Sequence, residues 1–167
     1  MKITDLECYS LLIPDFDADA CSSAQDNLIV KIHTDEGLIG IGETDTNPWG
    51  VKAIIDSPGT HAMGRGFKEL LVGKDPRNVE GLWHEMNEKT MMTTRRGLGI
   101  CAIGAIDMAL WDLCGKIYSQ PTWKLLGGSV KKEITPYASL LPEGRTLKDY
   151  SDSLVKKTVK AKELGFK

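Results

Sequence analysis

The sequence predicts an α+β domain over residues 1–128, followed over 129–167 by the start of a parallel α/β architecture that is not completed. Three β-rich segments come first and a run of helical segments follows, an order typical of an antiparallel sheet with helices gathered on one side. After residue 128 the pattern changes to a single β–loop–α unit. Because a parallel strand needs a second strand beyond its crossover helix, this unit is unfinished within the 167 residues.

The strand predictions depend on alternation and on strand-ending residues. In the second segment Leu28, Val30 and Ile32 recur at every other position, which is typical of a half-buried strand. Pro14 suits the end of the first segment because proline cannot donate to a strand ladder. The sequence therefore predicts a three-stranded antiparallel meander over 3–13, 27–34 and 38–43.

Three short helices are predicted after the strands, each from its own start signal. Asn47 with Pro48 should cap and begin the first, Thr60 should cap the second, and Asp75 with Pro76 should begin the third.

A longer, fourth helix is predicted over 98–117, where apolar residues fall on nearly every face. That pattern is typical of a helix enclosed by its neighbours. Its uncharged run, 97–106, is shorter than the roughly 18 residues that a membrane span requires, so we expect no membrane crossing.

The last 39 residues are predicted to contain a strand at 134–139 and a helix. Thr146 and Asp149 have the spacing of a capping box at the start of that helix, and Gly165 marks its end.

Composition excludes some classes of partner. With 21 basic and 23 acidic residues the formal charge is −2, which gives no electrostatic basis for binding nucleic acid or an anionic membrane. The four cysteines lack metal-site spacing, and the N-terminus carries acidic residues where a signal peptide needs apolar ones. We therefore expect a cytoplasmic protein whose partner is a small molecule or another protein.

Two motifs imitate binding sites without their required context. The GxGxxA spacing at 97–102 lacks the preceding strand that a dinucleotide-binding turn needs. Asp15, Asp17 and Asp19 resemble the start of a calcium loop, but Ala20 occupies the position that needs glycine. The three histidines are scattered and support no zinc site.

The tryptophans divide into two groups. Trp49 follows a loop, where an exposed aromatic ring can close over a ligand. The other three lie on apolar helix faces and are expected in the core: Trp83, Trp111 and Trp123.

The segment 97–128 also carries a family resemblance. Its pattern of small, acidic and apolar residues resembles that of the mandelate racemase and muconate lactonizing enzyme group of the enolase superfamily. The residues that carry the resemblance are Ala102, Gly104, Ala105, Asp107, Ala109, Leu110, Asp112, Gly115, Lys116, Pro121, Leu125, Leu126 and Gly127.

The resemblance implies a fold and a chemistry. The first domain would be the N-terminal capping domain of such an enzyme, and residues 129–167 the first βα unit of a TIM-type barrel. Family members abstract a proton next to a carboxylate and stabilise the resulting enediolate on Mg²⁺. Their metal ligands and bases come from later barrel strands, so the resemblance implies neither in this chain.

The resemblance further implies that this chain contributes to substrate specificity through two N-terminal loops, 15–26 and 44–49. The expected substrate-binding residues are Asp17, Trp49, Thr94, Arg95 and Ser139. An arginine in this set would suit an acidic substrate through bidentate pairing.

The leading hypothesis is part of a Mg²⁺-dependent dehydratase or racemase that acts on a small carboxylate, most like the acid-sugar dehydratases, and that is a homo-oligomer at full length. Alternatives are a muconate-type cycloisomerase, a dipeptide epimerase, or a non-catalytic binding or assembly module. We expect the chain alone to be inactive.

Overall fold

The computed structural model describes residues 1–12, 14, 26–92, 96–129 and 131–166. These belong to two compact units, the first containing 1–12 and 26–128 and the second containing 14 and the described residues from 129 onward. In chain order the described elements are β1 (Ile3–Leu11), β2 (Asn27–Thr34), β3 (Ile39–Thr44), α1 (Pro48–Asp56), α2 (Phe67–Leu71), α3 (Val79–Lys89), α4 (Leu98–Ile117), α5 (Thr122–Leu125) and α6 (Leu147–Glu163).

The first unit is built on an antiparallel sheet with strand order β1-β2-β3, which confirms the predicted meander. The face of β2 formed by Leu28, Val30 and Ile32 is fully buried, as its alternation predicts. Helix α4 covers this face, and α1 and α3 pack against α4 in turn. The three strands and the central helix therefore enclose one core.

Two glycines in β3 allow α4 to lie directly on the strand. A Cβ atom at Gly42 would stand 1.9 Å from the carbonyl oxygen of Ala105, and one at Gly40 would stand 2.2 Å from that of Ala109. Any side chain at either position would collide with helix backbone, which cannot move aside as a flexible side chain can. The close packing of helix on strand thus depends on glycine.

Helix α4 also covers the free edge of β3. The Asp112 carboxylate accepts a hydrogen bond from the Ile41 N–H at 2.8 Å, and the Lys116 ammonium donates to the Ile39 carbonyl at 2.6 Å. The two side chains pair with each other at 2.6 Å. Backbone groups that are already hydrogen-bonded cannot pair with another strand, so this pair protects the part of the edge at Ile39 and Ile41.

Two predicted helix starts are wrong. Thr60 does not cap α2; its N–H donates to the Gly64 carbonyl in a tight turn, and the helix begins only at Phe67. Asp75 begins a turn instead of α3, because its carboxylate is held by the backbone N–H and the guanidinium of Arg77. In each case a local hydrogen bond competes with the helix, as short polar side chains often do.

Helix α4 matches its predicted bounds. By length and hydropathy it is a helix that could cross a membrane, the one such helix in the described ranges, but half of its most apolar window is buried inside the protein. Its buried residues pack in the core, which supports the interpretation as a core helix.

Trp83 and Trp111 pack against the same core, whereas the prediction for Trp123 is wrong because its side chain is 51% exposed.

The second unit is dominated by α6, which forms as predicted. Thr146 and Asp149 make both hydrogen bonds of the capping box. At the other end Gly165 has φ +91°, and the Phe166 N–H donates to the Ala161 carbonyl in a Schellman motif.

The strand predicted at 134–139 is not formed. These residues carry no strand hydrogen bonds, and Ile134 and Tyr137 are 85% and 86% exposed. The described strands form one sheet, β1-β2-β3, which does not include these residues, and a single strand cannot satisfy its backbone without another strand beside it.

Candidate functional site

The candidate site is the end of the sheet where two of the predicted specificity loops leave it, here called the loop end. Leu11, the last residue of β1, is paired with Asn27, the first of β2. Leu28 is paired with Thr44, the last residue of β3. The register therefore places the start and end of the segment 12–26 beside the start of the segment 44–49.

Trp49 is fixed at the start of α1, next to the loop end. The Asn47 side chain accepts a hydrogen bond from the Gly50 N–H at 2.8 Å, and Pro48 occupies the first helical position and is buried. These two contacts set the backbone of the first turn. The Trp49 side chain nevertheless remains 60% exposed, so a large apolar ring stands at the surface on a helix start whose backbone is capped.

A third segment reaches the same helix start. A Cβ atom at Gly50 would lie 2.6 Å from the Leu98 side chain, so the first turn of α1 touches the first residue of α4. Gly97 has φ +64°, and its carbonyl accepts hydrogen bonds from the N–H groups of Ile100 and Cys101. The link between α3 and α4 therefore ends at a residue that contacts the first turn of α1. Because the element before this link is a helix, the GxGxxA segment lacks the strand of a dinucleotide turn.

Polar groups at the loop end form a contact that the sequence analysis missed. The Asn27 amide nitrogen donates to the Glu43 carboxylate at 2.7 Å and so joins the bases of the two loops. The Asn27 side-chain oxygen and the Ser10 hydroxyl are buried, and neither has a hydrogen-bond partner among the residues that the structure describes. Only the pairing of β2 with β3 reveals this contact, since 16 residues separate the two side chains.

The predicted substrate-binding residues have different outcomes. Asp17, Thr94 and Arg95 lie outside the described residues. Trp49 is exposed beside the loop end, and Ser139 is exposed in the second unit. Their role in substrate binding stays a prediction.

A groove of about 500 Å³ lies along β1. Its charged side chains already have partners: Lys68 pairs with Asp5 and Lys52 with Asp56, each at 2.6 Å, and Glu7 contacts His33 at 2.9 Å. Lys68 lowers the pKa of Asp5 through a hydrogen bond. Burial raises the pKa of the Cys8 thiol at its base to about 11, which keeps the thiol protonated and unreactive. We assign the groove no chemistry.

A metal centre is not formed by the residues that the structure describes. Among them no group of three or more histidine, cysteine, aspartate or glutamate side chains comes together. Divalent magnesium binds through oxygen ligands, usually carboxylates, that converge on one point. The described residues therefore do not fit a magnesium site.

Comparison with known proteins identifies the family. The family described as mandelate racemase / muconate lactonizing enzyme, N-terminal domain, matches residues 14–127. This chain belongs to that family. The match confirms the resemblance inferred from the α4 segment.

Individual relatives of this N-terminal domain are named as sugar-acid enzymes. L-rhamnonate dehydratase of Saccharopolyspora erythraea is 33% identical over 112 residues, 67% of this chain and 26% of the relative. A D-galactonate dehydratase family member of Marinomonas is 34% identical over 143 residues, 84% of this chain and 32% of the relative. The chain thus spans about a third or less of these curated relatives.

A solved structure is similar over the whole chain. The 3,6-anhydro-D-galactonate cycloisomerase of Zobellia galactanivorans shares 34% identity with a TM-score of 0.80, and the match covers 100% of this chain and 41% of that one. The fold is therefore that of an enolase-superfamily N-terminal domain with the residues that follow it.

Proposed function

We propose that this chain is the N-terminal, substrate-selecting part of a longer enolase-superfamily enzyme that abstracts a proton next to the carboxylate of a sugar acid. Membership of the family supports the class of enzyme, and the dehydratase relatives support the class of substrate. In our proposal the protein acts as a cytoplasmic homo-oligomer.

The loop end is the observation that supports a selecting role. It brings the bases of two loops together and presents Trp49 on a capped helix start. An aromatic side chain on a fixed backbone can discriminate between substrates by shape without taking part in proton transfer. The proposed division of labour therefore leaves the chemistry to residues beyond this chain.

We include magnesium in the proposal only because membership of the family implies it. When bound in such an enzyme, the metal stabilises the negative charge that develops on the substrate carboxylate. We propose that its ligands, and the bases that move the proton, lie in the later part of the longer protein. The coding sequence downstream of Lys167 tests this: acidic residues at the ends of three successive barrel strands are expected.

Replacing Trp49 by Ala tests the selecting role. In the longer protein the ratio of kcat/KM for L-rhamnonate to that for D-galactonate should change by roughly tenfold, since the ring is part of the pocket wall. The melting temperature should fall much less than it does for Trp111→Ala, because Trp111 packs against the core and Trp49 is exposed. An equal loss of stability with an unchanged ratio would assign Trp49 a structural role.

A cycloisomerase is the second candidate, because the solved enzyme with 34% identity is named as one. Products distinguish the two reactions: a dehydratase releases a keto acid and water, whereas a cycloisomerase gives an isomer of its substrate. A non-catalytic binding or assembly module is the remaining alternative.

A further inference from the structure

A side-chain hydrogen bond joins β2 to β3 at the loop end. The Asn27 amide nitrogen donates to the Glu43 carboxylate at 2.7 Å. Glu43 is paired across the ladder with Ile29, so Asn27 reaches it diagonally from two residues further along the same face of the sheet. Side-chain contacts of this kind hold two neighbouring strands in register. We call this hydrogen bond the Asn27–Glu43 bond.

The orientation of the Asn27 amide follows from the chemistry of its partner. A carboxylate only accepts hydrogen bonds, so the nitrogen of the amide has to face Glu43. That orientation leaves the Asn27 side-chain oxygen buried, with no hydrogen-bond partner in the described part of the chain. A buried oxygen without a partner costs free energy, and an apolar side chain at this position would avoid that cost. The bond to Glu43 therefore explains the asparagine better than packing does.

The end of β3 is held in two directions. On the core-facing side, a Cβ atom at Gly42 would stand 1.9 Å from the Ala105 carbonyl oxygen, so α4 prevents movement toward the core. Glu43 faces the opposite side of the sheet, where it is exposed, because successive side chains of a strand alternate. There the Asn27–Glu43 bond ties the strand sideways to β2.

A short connection leads from this point to Trp49. Strand β3 ends at Thr44 and α1 begins at Pro48, so Trp49 follows Glu43 by only six residues. The far end of the connection is fixed by the Asn47 cap and by the burial of Pro48. A short chain between two fixed ends has few backbone conformations. A displacement of β3 at Glu43 would therefore change the path of the backbone that leads to Trp49.

We propose that Asn27 and Glu43 are positioning residues, whose hydrogen bond sets the place at which the Trp49 ring meets a sugar acid. The proposal rests on the proposed function, in which Trp49 discriminates between substrates. It adds that the discrimination depends on two side chains that do not themselves touch the substrate. Asn27 and Glu43 act through the backbone between β3 and α1.

Exchange of the two groups in the longer protein tests the proposal. Asn27→Asp places two carboxylates together at about pH 8, where both are ionised, and should change the ratio of kcat/KM for L-rhamnonate to that for D-galactonate by roughly threefold. Glu43→Gln keeps an acceptor for the Asn27 amide and should leave the ratio near the wild-type value. The double variant Asn27→Asp with Glu43→Gln restores one donor and one carboxylate without a change of net charge. It should restore the ratio.

The dependence on Trp49 is tested by a double-mutant cycle. In a Trp49→Ala background, Asn27→Asp should cause no further change in the ratio, because its effect acts through the ring. Glu7→Gln is the matched control. Glu7 also forms a cross-strand side-chain bond, to His33 at 2.9 Å, on the same face of the sheet but away from the loop end. Its replacement should leave the ratio unchanged.

A measurement without turnover reports the position of the ring directly. In the longer protein labelled with 5-fluorotryptophan, the fluorine resonance of Trp49 is the one that disappears in Trp49→Phe. Asn27→Asp should move this resonance and leave those of Trp83 and Trp111 in place, because these two pack against the core. The double exchange variant should return it to the wild-type position.

Two results would overturn the proposal. One is an unchanged substrate ratio for Asn27→Asp in an active enzyme, whatever the melting temperature does, which would leave the bond a structural role only. The other is a change of the same size in the Trp49→Ala background, which would mean that the bond does not act through Trp49. A wild-type longer protein that turns over neither acid would instead refute the proposed function. An unmoved Trp49 resonance in that protein would then overturn the positioning role, and a shifted one would support it.

Discussion

Gly42→Ala should strongly destabilise the first unit, although it adds only one methyl group. The added Cβ would stand 1.9 Å from the Ala105 carbonyl oxygen and 2.8 Å from the Ala109 backbone nitrogen. Both atoms belong to the backbone of a 20-residue helix, so relief requires the helix to move away from the sheet. We expect the free energy of unfolding to fall by about 3 kcal/mol or more, measured by chemical denaturation.

Gly104→Ala is the matched control on the partner helix. This glycine also lies in the middle of a regular element, but a Cβ there would meet nothing within 4 Å. Alanine restricts the unfolded chain and favours helix, so the same methyl group should stabilise the chain by about 0.5–1 kcal/mol. Equal effects of the two substitutions would show that the contact between β3 and α4 is not as close as described.

Amide hydrogen exchange should differ between the two units by at least about a thousandfold. Amides in the centre of α4, such as that of Ile106, are buried and should exchange only on global unfolding. Residues from Glu133 onward contain no fully buried side chain among those described, and 134–139 form no strand. Their amides should exchange rapidly, with some slowing in α6 because of its two capped ends.

The amide exchange rates of the two units should be compared in the 167-residue chain at high dilution. Association through exposed apolar residues such as Ile134, Tyr137 and Leu147 would slow exchange artificially. Protection of the tail equal to that of Ile106 in a dilute monomer would contradict the unfinished-barrel interpretation. A self-contained domain would then have to replace it.

Much of the first unit was predictable because its sequence signals are local. Alternation in β2 gave its bounds and its buried face, and the apolar run between Gly97 and Tyr118 gave α4. The capping residue Asn47 forms its predicted contact, as Thr146 does in the second unit. Each of these signals lies within a few residues of the element it specifies.

Features that depend on distant neighbours were not predicted. Glycine at alternate positions of β3 indicates a close backbone approach, but the sequence does not say that Ala105 and Ala109 of α4 are what approaches. The contact of Asn27 with Glu43 depends likewise on strand register. The strand predicted at 134–139 is not formed for the converse reason: its own residues favour a strand, but none of the described strands pairs with them.

The candidate site was predicted in part. The sequence indicated an exposed Trp49 after a loop, and the structure confirms that exposure. It could not indicate that the start of α1 also touches Leu98 at the start of α4. That contact joins segments 48 residues apart and arises only from the packing of α1 on α4.

The central claim is that this chain selects the substrate for chemistry carried out by residues beyond it. A side-by-side assay of the 167-residue chain and the longer protein, against a panel of sugar acids with Mg²⁺ present, tests it most directly. We expect turnover of at least one acid by the longer protein, abolished by a chelator, and no turnover by the chain alone. Turnover by the chain that survives purification to homogeneity, or a longer protein that acts on no acid in the panel, would contradict it.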